Sequence, residues 1–396
     1  MKILVVTPTF LPLMGGAEIG IYEIFHRLAD RHRIQILTPH PDKSLIREYG
    51  MDEPDLDLSP LEVVRFKDRV NPMNWPGQWK LRGVIPPFSL SAVKATARMI
   101  REFDPELINF FYVLPLGLAA FIVDRIKKRP VVLSIIGRDI PGPEIPLFWR
   151  KYARMISRRV GIKIFISEYC RQAFGDSDLN TGDVVPFGVD LARYTPENDG
   201  RLTREKMGIP RNEKVLFTIQ RLDRWKRVDI VIRAFQSVLK HVDAYLVIGG
   251  KGIEKDRLMQ LSRELGVSSR VIFTGYIPER ELPFYYAMAD LFVFHSTFET
   301  LGLVLLQAMA SGKAVVSVNS TAIPEVIDSG KNGLLVEPLK PEKFADAVLS
   351  LLKNSKQMER YGVNSREKVE KEFNWDSISN RYEEIFFKCQ KSQETS

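Results

Sequence analysis

The stretch that decides the fold runs from His295 to Pro324, HSTFETLGLVLLQAMASGKAVVSVNSTAIP. It opens on a short polar turn with one acid, Glu299, and reaches Gly302. Leu303 to Ala310 then carries apolar side chains on nearly every side, which predicts a buried helix. Gly312 stands where a helix C-cap is expected. Ala314 to Val318 follows as a β-branched run, so the element reads loop, helix, strand inside an α/β domain. The helix contains one polar side chain, Gln307, and a buried amide without a partner costs roughly 1–3 kcal/mol. Its partner is expected to be neighbouring main chain or a bound ligand. The free N–H groups near Leu301 to Leu303 point out of the helix start and make a seat for phosphate. Gly302 allows close backbone approach, and Glu299 can accept hydrogen bonds from hydroxyls on what that phosphate carries. A sugar nucleotide fits; a core helix preceded by a surface acid fits these residues as well.

Working outward, the strand–loop–helix pattern occurs in both halves of the chain. Ile3 to Val6 reads as a buried parallel strand, followed by Gly15-Gly16 and a helix from Ala17 to Ala29 with Ile21, Ile24, Phe25 and Leu28 on one face. Strand, glycine turn, helix is the first unit of a Rossmann-like half. Strands are expected at Ile34 to Leu37, Leu107 to Phe110, Val131 to Ile135 and Ile162 to Ile166. A polar stretch rich in Pro and Gly, Thr195 to Gly200, reads as a linker. The alternation then restarts. Strands are expected at Val215 to Ile219, Ala244 to Ile248, Val271 to Gly275 and Leu291 to Phe294, and helices at Val228 to Leu239 and near Leu282 to Ala289. The expected architecture is two doubly wound α/β domains, 1–190 and 191–375, facing each other across a ligand cleft. A last helix, from Asp376 onward, is expected to pack back on the first.

The chain has 396 residues, 45% of them hydrophobic, enough for two cores. A net charge of +8 spread over that length is no nucleic-acid signature. The two cysteines, Cys170 and Cys389, lack metal or redox spacing, which points to a reducing compartment. The start, MKILVVTPTF, does not read as a signal peptide. The longest apolar run, Phe110 to Val123, is interrupted by Pro115 and Gly117 and falls short of a membrane span. A cytoplasmic protein is expected, with peripheral contact to the inner face of an anionic membrane. That contact is motivated by two acid-free stretches. Arg69 to Arg101 interleaves basic residues with Trp75, Trp79 and Phe88, and Trp149 to Arg159 does so with Trp149 and Tyr152. A solvated helix face is the plainer reading of both.

Several segments together resemble the retaining, nucleotide-sugar-dependent glycosyltransferases of the GT-B fold with an E-x7-E signature, the family 4 or group 1 enzymes. They are Gly15-Gly16-Ala17-Glu18, Pro186 to Asp190, Arg221-Leu222 with Lys226, Gly249 to Gly252, Phe273 to Gly275, and Glu299 to Gly312 with Pro324-Glu325. The resemblance implies that Arg221 and Lys226 neutralise the donor diphosphate, whose charge grows as the glycosidic bond breaks. It implies that Glu299 contacts donor-sugar hydroxyls, completing the catalytic set. Donor contacts are implied at Gly15, Gly16, Tyr276, Ile277, Thr300, Leu301, Gly302, Leu303 and Gln307, and acceptor contacts at Arg138 and Asp139.

The implied donor is a UDP- or GDP-sugar, with no further cofactor and no metal. The implied acceptor is a glycan or a lipid-linked molecule. Two positions depart from the family pattern. Gln307 stands where the second acid, which holds the ribose, is expected, so Gln307→Glu is expected to tighten donor binding or leave it unchanged. Ile136 stands where a histidine precedes the glycine at a strand end, and His40 and His295 read as structural. These departures favour one other class, a catalytically silent GT-B protein that binds a nucleotide sugar or a partner subunit; an NDP-sugar epimerase of related fold is a third reading that fits the motifs less well.

Overall fold

The computed structural model describes residues 1–13, 15–41, 56–67, 88–127, 129–137, 147–174 and 182–394. The chain divides into two compact units. One comprises Met1–Phe187 with Trp375–Ser396, the other Gly188–Asn374.

In the first unit, β1 (Lys2–Val6) leads through Gly15 into α1 (Gly16–Leu28). β2 (Arg33–Pro39), β3 (Glu62–Phe66), α2 (Leu90–Glu102), β4 (Leu107–Phe111), α3 (Gly117–Ile122), β5 (Val131–Ile135), α4 (Leu147–Arg159), β6 (Ile162–Phe165), α5 (Glu168–Ala173) and the short β7 (Asp183–Val184) follow. The strands form one seven-stranded sheet in the order β3-β2-β1-β4-β5-β6-β7, and every pair is parallel. Ile3 to Val6 are fully buried because both faces of a parallel sheet are covered. On α1, Ile21, Ile24, Phe25 and Leu28 are likewise fully buried.

The C-terminal helix, Trp375–Glu394, packs on α1 of this unit. Phe386 stacks on Phe25 with ring centroids 6.2 Å apart. Arg27 pairs with Asp376 at 2.8 Å, and His32 Nε2 lies 2.6 Å from Glu383. Apolar burial supplies most of this attachment, because Arg27 and Asp376 are solvated.

The second unit holds α6 (Arg201–Lys206), β8 (Lys214–Ile219), α7 (Val228–Val238), β9 (Ala244–Gly249), α8 (Lys255–Glu264), β10 (Val271–Gly275), α9 (Leu282–Met288) and β11 (Leu291–Val293). It continues with α10 (Leu303–Ala310), β12 (Val315–Val318), α11 (Ile323–Val326), β13 (Gly333–Val336), α12 (Pro341–Leu352) and α13 (Ser355–Glu372). Its six strands are parallel in the order β10-β9-β8-β11-β12-β13. That is the Rossmann order 3-2-1-4-5-6, and the order reverses between β8 and β11. The carboxyl ends of those two strands carry the loops 220–226 and 294–302. A doubly wound sheet binds its ligand at such a switch point.

β3 and β13 were not expected from the sequence. β3 is an edge strand whose residues Glu62, Val63, Val64 and Arg65 are exposed or half-buried, so it lacks the apolar run that marks a buried strand. β13 is four residues long and begins on a glycine. Among the described residues, no helix is long and apolar enough to cross a membrane.

Candidate functional site

The site at the carboxyl ends of β8 and β11 is built from two loops tied together. Thr297 donates to the carbonyl of Trp225 from its N–H and from its hydroxyl, both at 2.9 Å. The first loop makes a 3-10 turn at Arg224–Lys226 and exits through Arg227, whose φ of 47° is left-handed. A side chain there is uncommon, and such backbone clusters at ligand sites. The Arg227 guanidinium is held by Asp229 through two hydrogen bonds of 2.9 Å. The second loop is pinned by Glu299 N–H donating to Thr321 Oγ1 at 2.9 Å and by Ser320 Oγ donating to the carbonyl of Thr297 at 3.1 Å.

This tie brings Lys226 and Glu299 into direct contact. Lys226 Nζ donates to Glu299 Oε1 and lies 5.9 Å from the centroid of the Phe294 ring. Arg221 pairs with the buried Asp223 at 2.6 Å, and its guanidinium carbon lies 5.9 Å from the centroid of the Trp225 ring. Each of the two cations therefore faces a carboxylate of its own. Just before Arg221, at the carboxyl end of β8, Gln220 is buried, and neither end of its amide has a hydrogen-bond partner among the described residues.

Two glycines shape the rim. Gly250 has φ of 112°, and a Cβ there would fall 1.9 Å from the carbonyl oxygen of Gln220. Only glycine lets that turn close onto the end of β8. Gly302, with φ of 89°, is the N-cap residue of α10 and has no side chain to cap it. The first N–H groups of the helix thus remain directed away from its body. Thr300 and Leu303 are half-buried and Leu301 is buried. Ile277 is buried against Gly249, and the ring of Tyr276 lies 5.5 Å from Lys251 Nζ.

Gln307 differs from its expectation. From the sequence, its partner is expected to be neighbouring main chain or a bound ligand. In the structure two tyrosine side chains hold it, Tyr286 donating to its Oε1 at 2.9 Å and Tyr194 accepting from its Nε2 at 3.0 Å. Nothing local in the sequence marked either tyrosine, which lie 113 and 21 positions away.

The remaining predicted residues stand in the first unit. Gly15 is the N-cap of α1 with extended backbone, and Gly16 opens the helix. Glu18, not singled out as a site residue, is buried there and accepts from Thr9 Oγ1. A Cβ on Gly15 would lie 2.7 Å from Glu18 Oε2, which gives this glycine a steric reason. Ile136 is buried at the end of β5. Arg138, Asp139, Trp75 and Trp79 lie outside the described residues. In the second unit, His295 is fully buried, and its Nε2 accepts from the N–H of Leu339 at 3.2 Å.

The family described as Glycosyltransferase Family 4 matches residues 14–193, and Glycosyl transferases group 1 matches residues 199–368. A GDP-mannose-dependent α-(1-6)-phosphatidylinositol monomannoside mannosyltransferase of Mycolicibacterium smegmatis is 31% identical over 303 residues, covering 73% of this chain and 78% of that protein. The chain belongs to the family 4 glycosyltransferases. The N-acetyl-α-D-glucosaminyl L-malate synthase of Bacillus anthracis is 28% identical over 387 residues, 96% of this glycosyltransferase chain and 95% of that one. Among solved structures, HepE of Anabaena in complex with UDP superposes with a TM-score of 0.78 at 23% identity, covering 98% of this chain and 100% of that one. Sucrose-phosphate synthase from Thermosynechococcus elongatus gives 0.79 at 19% identity, covering 98% of each. These likenesses establish the GT-B fold, with two parallel-sheet Rossmann-like domains.

Proposed function

We propose that this glycosyltransferase moves one sugar from a UDP- or GDP-sugar to a lipid-linked or glycan acceptor, with retention at the anomeric carbon and without a metal. The observation that carries this reading is the cluster at the ends of β8 and β11. There two cations, an uncapped helix start and the Glu299 carboxylate stand on loops tied at Thr297 and Trp225, and the first of these loops begins at Gln220, whose buried amide has no partner among the described residues. A buried amide without a partner is costly, so a ligand that bonds it is stabilised at this place.

In this reading Arg221 holds two phosphate oxygens and Lys226 supplies a point charge. The N–H groups at the start of α10 bind the same phosphates. Glu299 accepts from sugar hydroxyls. The bond from the anomeric carbon to the diphosphate oxygen breaks, and the acceptor oxygen bonds that carbon on the same face. The acceptor's proton passes to the departing phosphate oxygen, so no side-chain nucleophile is required. Charge growing on the leaving group is what Arg221 and Lys226 stabilise.

For the acceptor, the first unit presents an apolar and basic surface. Leu147 and Phe148 open α4 at 64% and 68% exposure, with Lys151, Arg158 and Arg159 exposed on the same helix. Phe88 reaches Tyr152 of α4 with ring centroids 6.3 Å apart, which brings the start of α2, with Leu90 exposed, beside it. Apolar side chains flanked by cations suit an anionic lipid interface.

The testing experiment is donor turnover. Purified protein is incubated with UDP- and GDP-sugars and an acceptor lipid extract, with and without EDTA, and the product's anomeric configuration is read by NMR. Transfer with retained configuration that survives the chelator is expected. An inverted product or a chelator-killed activity would overturn the mechanism, and no transfer from any donor would overturn the function.

A further inference from the structure

Gln307 stands eight positions after Glu299, where the family pattern has an acid, and its surroundings give a reason. Tyr286 Oη donates to Gln307 Oε1 at 2.9 Å, sharing its proton with the carbonyl of Val304 at 3.2 Å. Gln307 Nε2 donates to Tyr194 Oη at 3.0 Å, and Tyr194 Oη donates to the carboxylate of Glu279. The direction of each bond follows from counting protons. A phenol has one, and Tyr194 gives its own to Glu279, so its oxygen must accept from residue 307. Tyr286 gives its proton the other way, so residue 307 must also accept. A neutral amide does both; an ionised carboxylate has nothing to donate. Both phenols are deeply buried, and burial first, then the nearby Glu279 charge, holds them well above the ordinary tyrosine range, so they remain donors.

We propose that the second acid of the donor site is Glu279, relocated from position 307, and that the pair 307 and 279, joined through Tyr194, carries one negative charge for the donor's ribose hydroxyls. This rests on the donor reading given above. Glu279 has room for the role. Its side chain is 25% exposed, and Arg193 Nη1 lies 3.8 Å away. It follows Tyr276-Ile277 on the loop from β10 to α9, at the carboxyl end of the sheet. Tyr194 and Tyr286 are positioning residues, which set the amide and pass the charge's effect to it.

One charge for two positions makes a sharp demand. Gln307→Glu places two carboxylates on either side of one hydroxyl, and like charges so placed disfavour ionisation of both. Glu279→Gln removes the charge. The exchange of both, Gln307→Glu with Glu279→Gln, restores a consistent order. Glu at 307 accepts from Tyr286 and Tyr194, while Gln at 279 donates to the freed Tyr194 oxygen.

The test is a double-mutant cycle on the full chain. Affinity for GDP and for UDP is measured by titration calorimetry, and unliganded melting temperature by scanning calorimetry, for wild type, both singles, the double and Tyr194→Phe. Each single is expected to lose at least about tenfold in affinity for the preferred nucleotide, which for Gln307→Glu reverses the expectation from the sequence because Tyr194 already gives its proton to Glu279, and the double to recover to within about threefold of wild type. Tyr194→Phe is expected to lose affinity as well, which reads the relay even if Gln307→Glu fails to fold. A Gln307→Glu protein that binds as tightly as wild type, or singles whose losses simply add, would overturn the proposal. A wild type that binds neither nucleotide would instead overturn the donor reading, and the ribose role with it. The unliganded melting cycle would still show whether the two positions share one charge.

Discussion

Lys226 donates to Glu299 from a loop 73 residues earlier in the chain, and both side chains are mostly buried, at 17% and 12% exposure. The pair joins the cation expected at the diphosphate to the acid expected at the donor sugar. Neither can be displaced without disturbing the other. A group that serves the transition state more than the ground state should affect kcat more than KM. Lys226→Ala is therefore expected to lower kcat by roughly a hundredfold or more, with a smaller rise in donor KM. Removal of one partner also leaves Glu299 half-desolvated, so its melting temperature should fall. Lys226→Ala with Glu299→Gln should melt closer to wild type while staying inactive. A folded, fully active Lys226→Ala protein would refute the assignment.

Gly302 sets the direction in which α10 begins. Its φ of 89° costs a residue with a Cβ about 1–2 kcal/mol. The added Cβ would also meet Leu305 Cδ1 at 2.9 Å, a flexible side-chain end that can give way. Gly302→Ala is expected to fold with a lowered melting temperature and to bind nucleotide more weakly, because the helix start is turned. Calorimetric melting and nucleotide titration together check this. Unchanged affinity in a destabilised variant would limit Gly302 to a structural role.

Much of this architecture was legible in the sequence, for a physical reason. Strands covered on both faces read as near-continuous apolar runs, so Ile3 to Val6 and Val315 to Val318, broken only at Ser317, announce themselves. The loops that carry Arg221, Lys226 and Glu299 follow such strands, which places them at one end of the sheet before any coordinates are known. What was not legible is non-local. Gln307 meets Tyr194 across 113 residues of chain, and no periodicity records that contact. The Arg221–Asp223 pair lies within one loop, but the pairing of Lys226 with Glu299 depends on how two loops are tied at Thr297 and Trp225. The half-exposed edge strand β3 escaped for a third reason, since each of its faces mixes a charged residue (Glu62 or Arg65) with apolar ones and shows no clean alternation.

His295 gives the fold a pH dependence. Burial, reinforced by the Arg227 charge, lowers its pKa to about 4, and its neutral Nε2 accepts from the N–H of Leu339. An unfolded histidine titrates at about 6.5. Between those values the unfolded state takes up a proton that the folded state refuses. Stability from this group is therefore full above pH ~6.5 and lost progressively as pH falls toward 4. The melting temperature of wild type should drop over that window. His295→Gln keeps an acceptor and cannot be protonated there, so its curve should fall less. Parallel curves for the two proteins would exclude His295 as the cause.

The last prediction concerns the exposed start of α4. Leu147 and Phe148 stand at the surface, and the ring of Phe148 lies 4.7 Å from that of Trp149, which in turn packs edge-on against Tyr152 at 6.0 Å. The aromatic cluster is thus anchored in the fold at one end and offered to solvent at the other. Exposed Lys151, Arg158 and Arg159 on this helix, and Lys94, Arg98 and Arg101 on α2, give the surface its charge. If it rests on a lipid surface, two contributions should separate in experiment. Basic residues near an anionic leaflet contribute about 1 kcal/mol each, screened over about 8–10 Å at physiological salt, whereas buried apolar groups are insensitive to salt. Sedimentation with phosphatidylglycerol vesicles should therefore show binding that weakens steeply from low to high salt, with little binding to phosphatidylcholine. Phe148→Glu should abolish binding at every salt concentration, because it removes the apolar anchor and adds a repelled charge. Lys151→Gln with Arg158→Gln should flatten the salt dependence while leaving weak residual binding. Neither variant touches the loops at β8 and β11, so nucleotide affinity measured by titration calorimetry should persist in both. Equal binding to neutral vesicles, or wild-type binding by Phe148→Glu, would remove this surface from consideration.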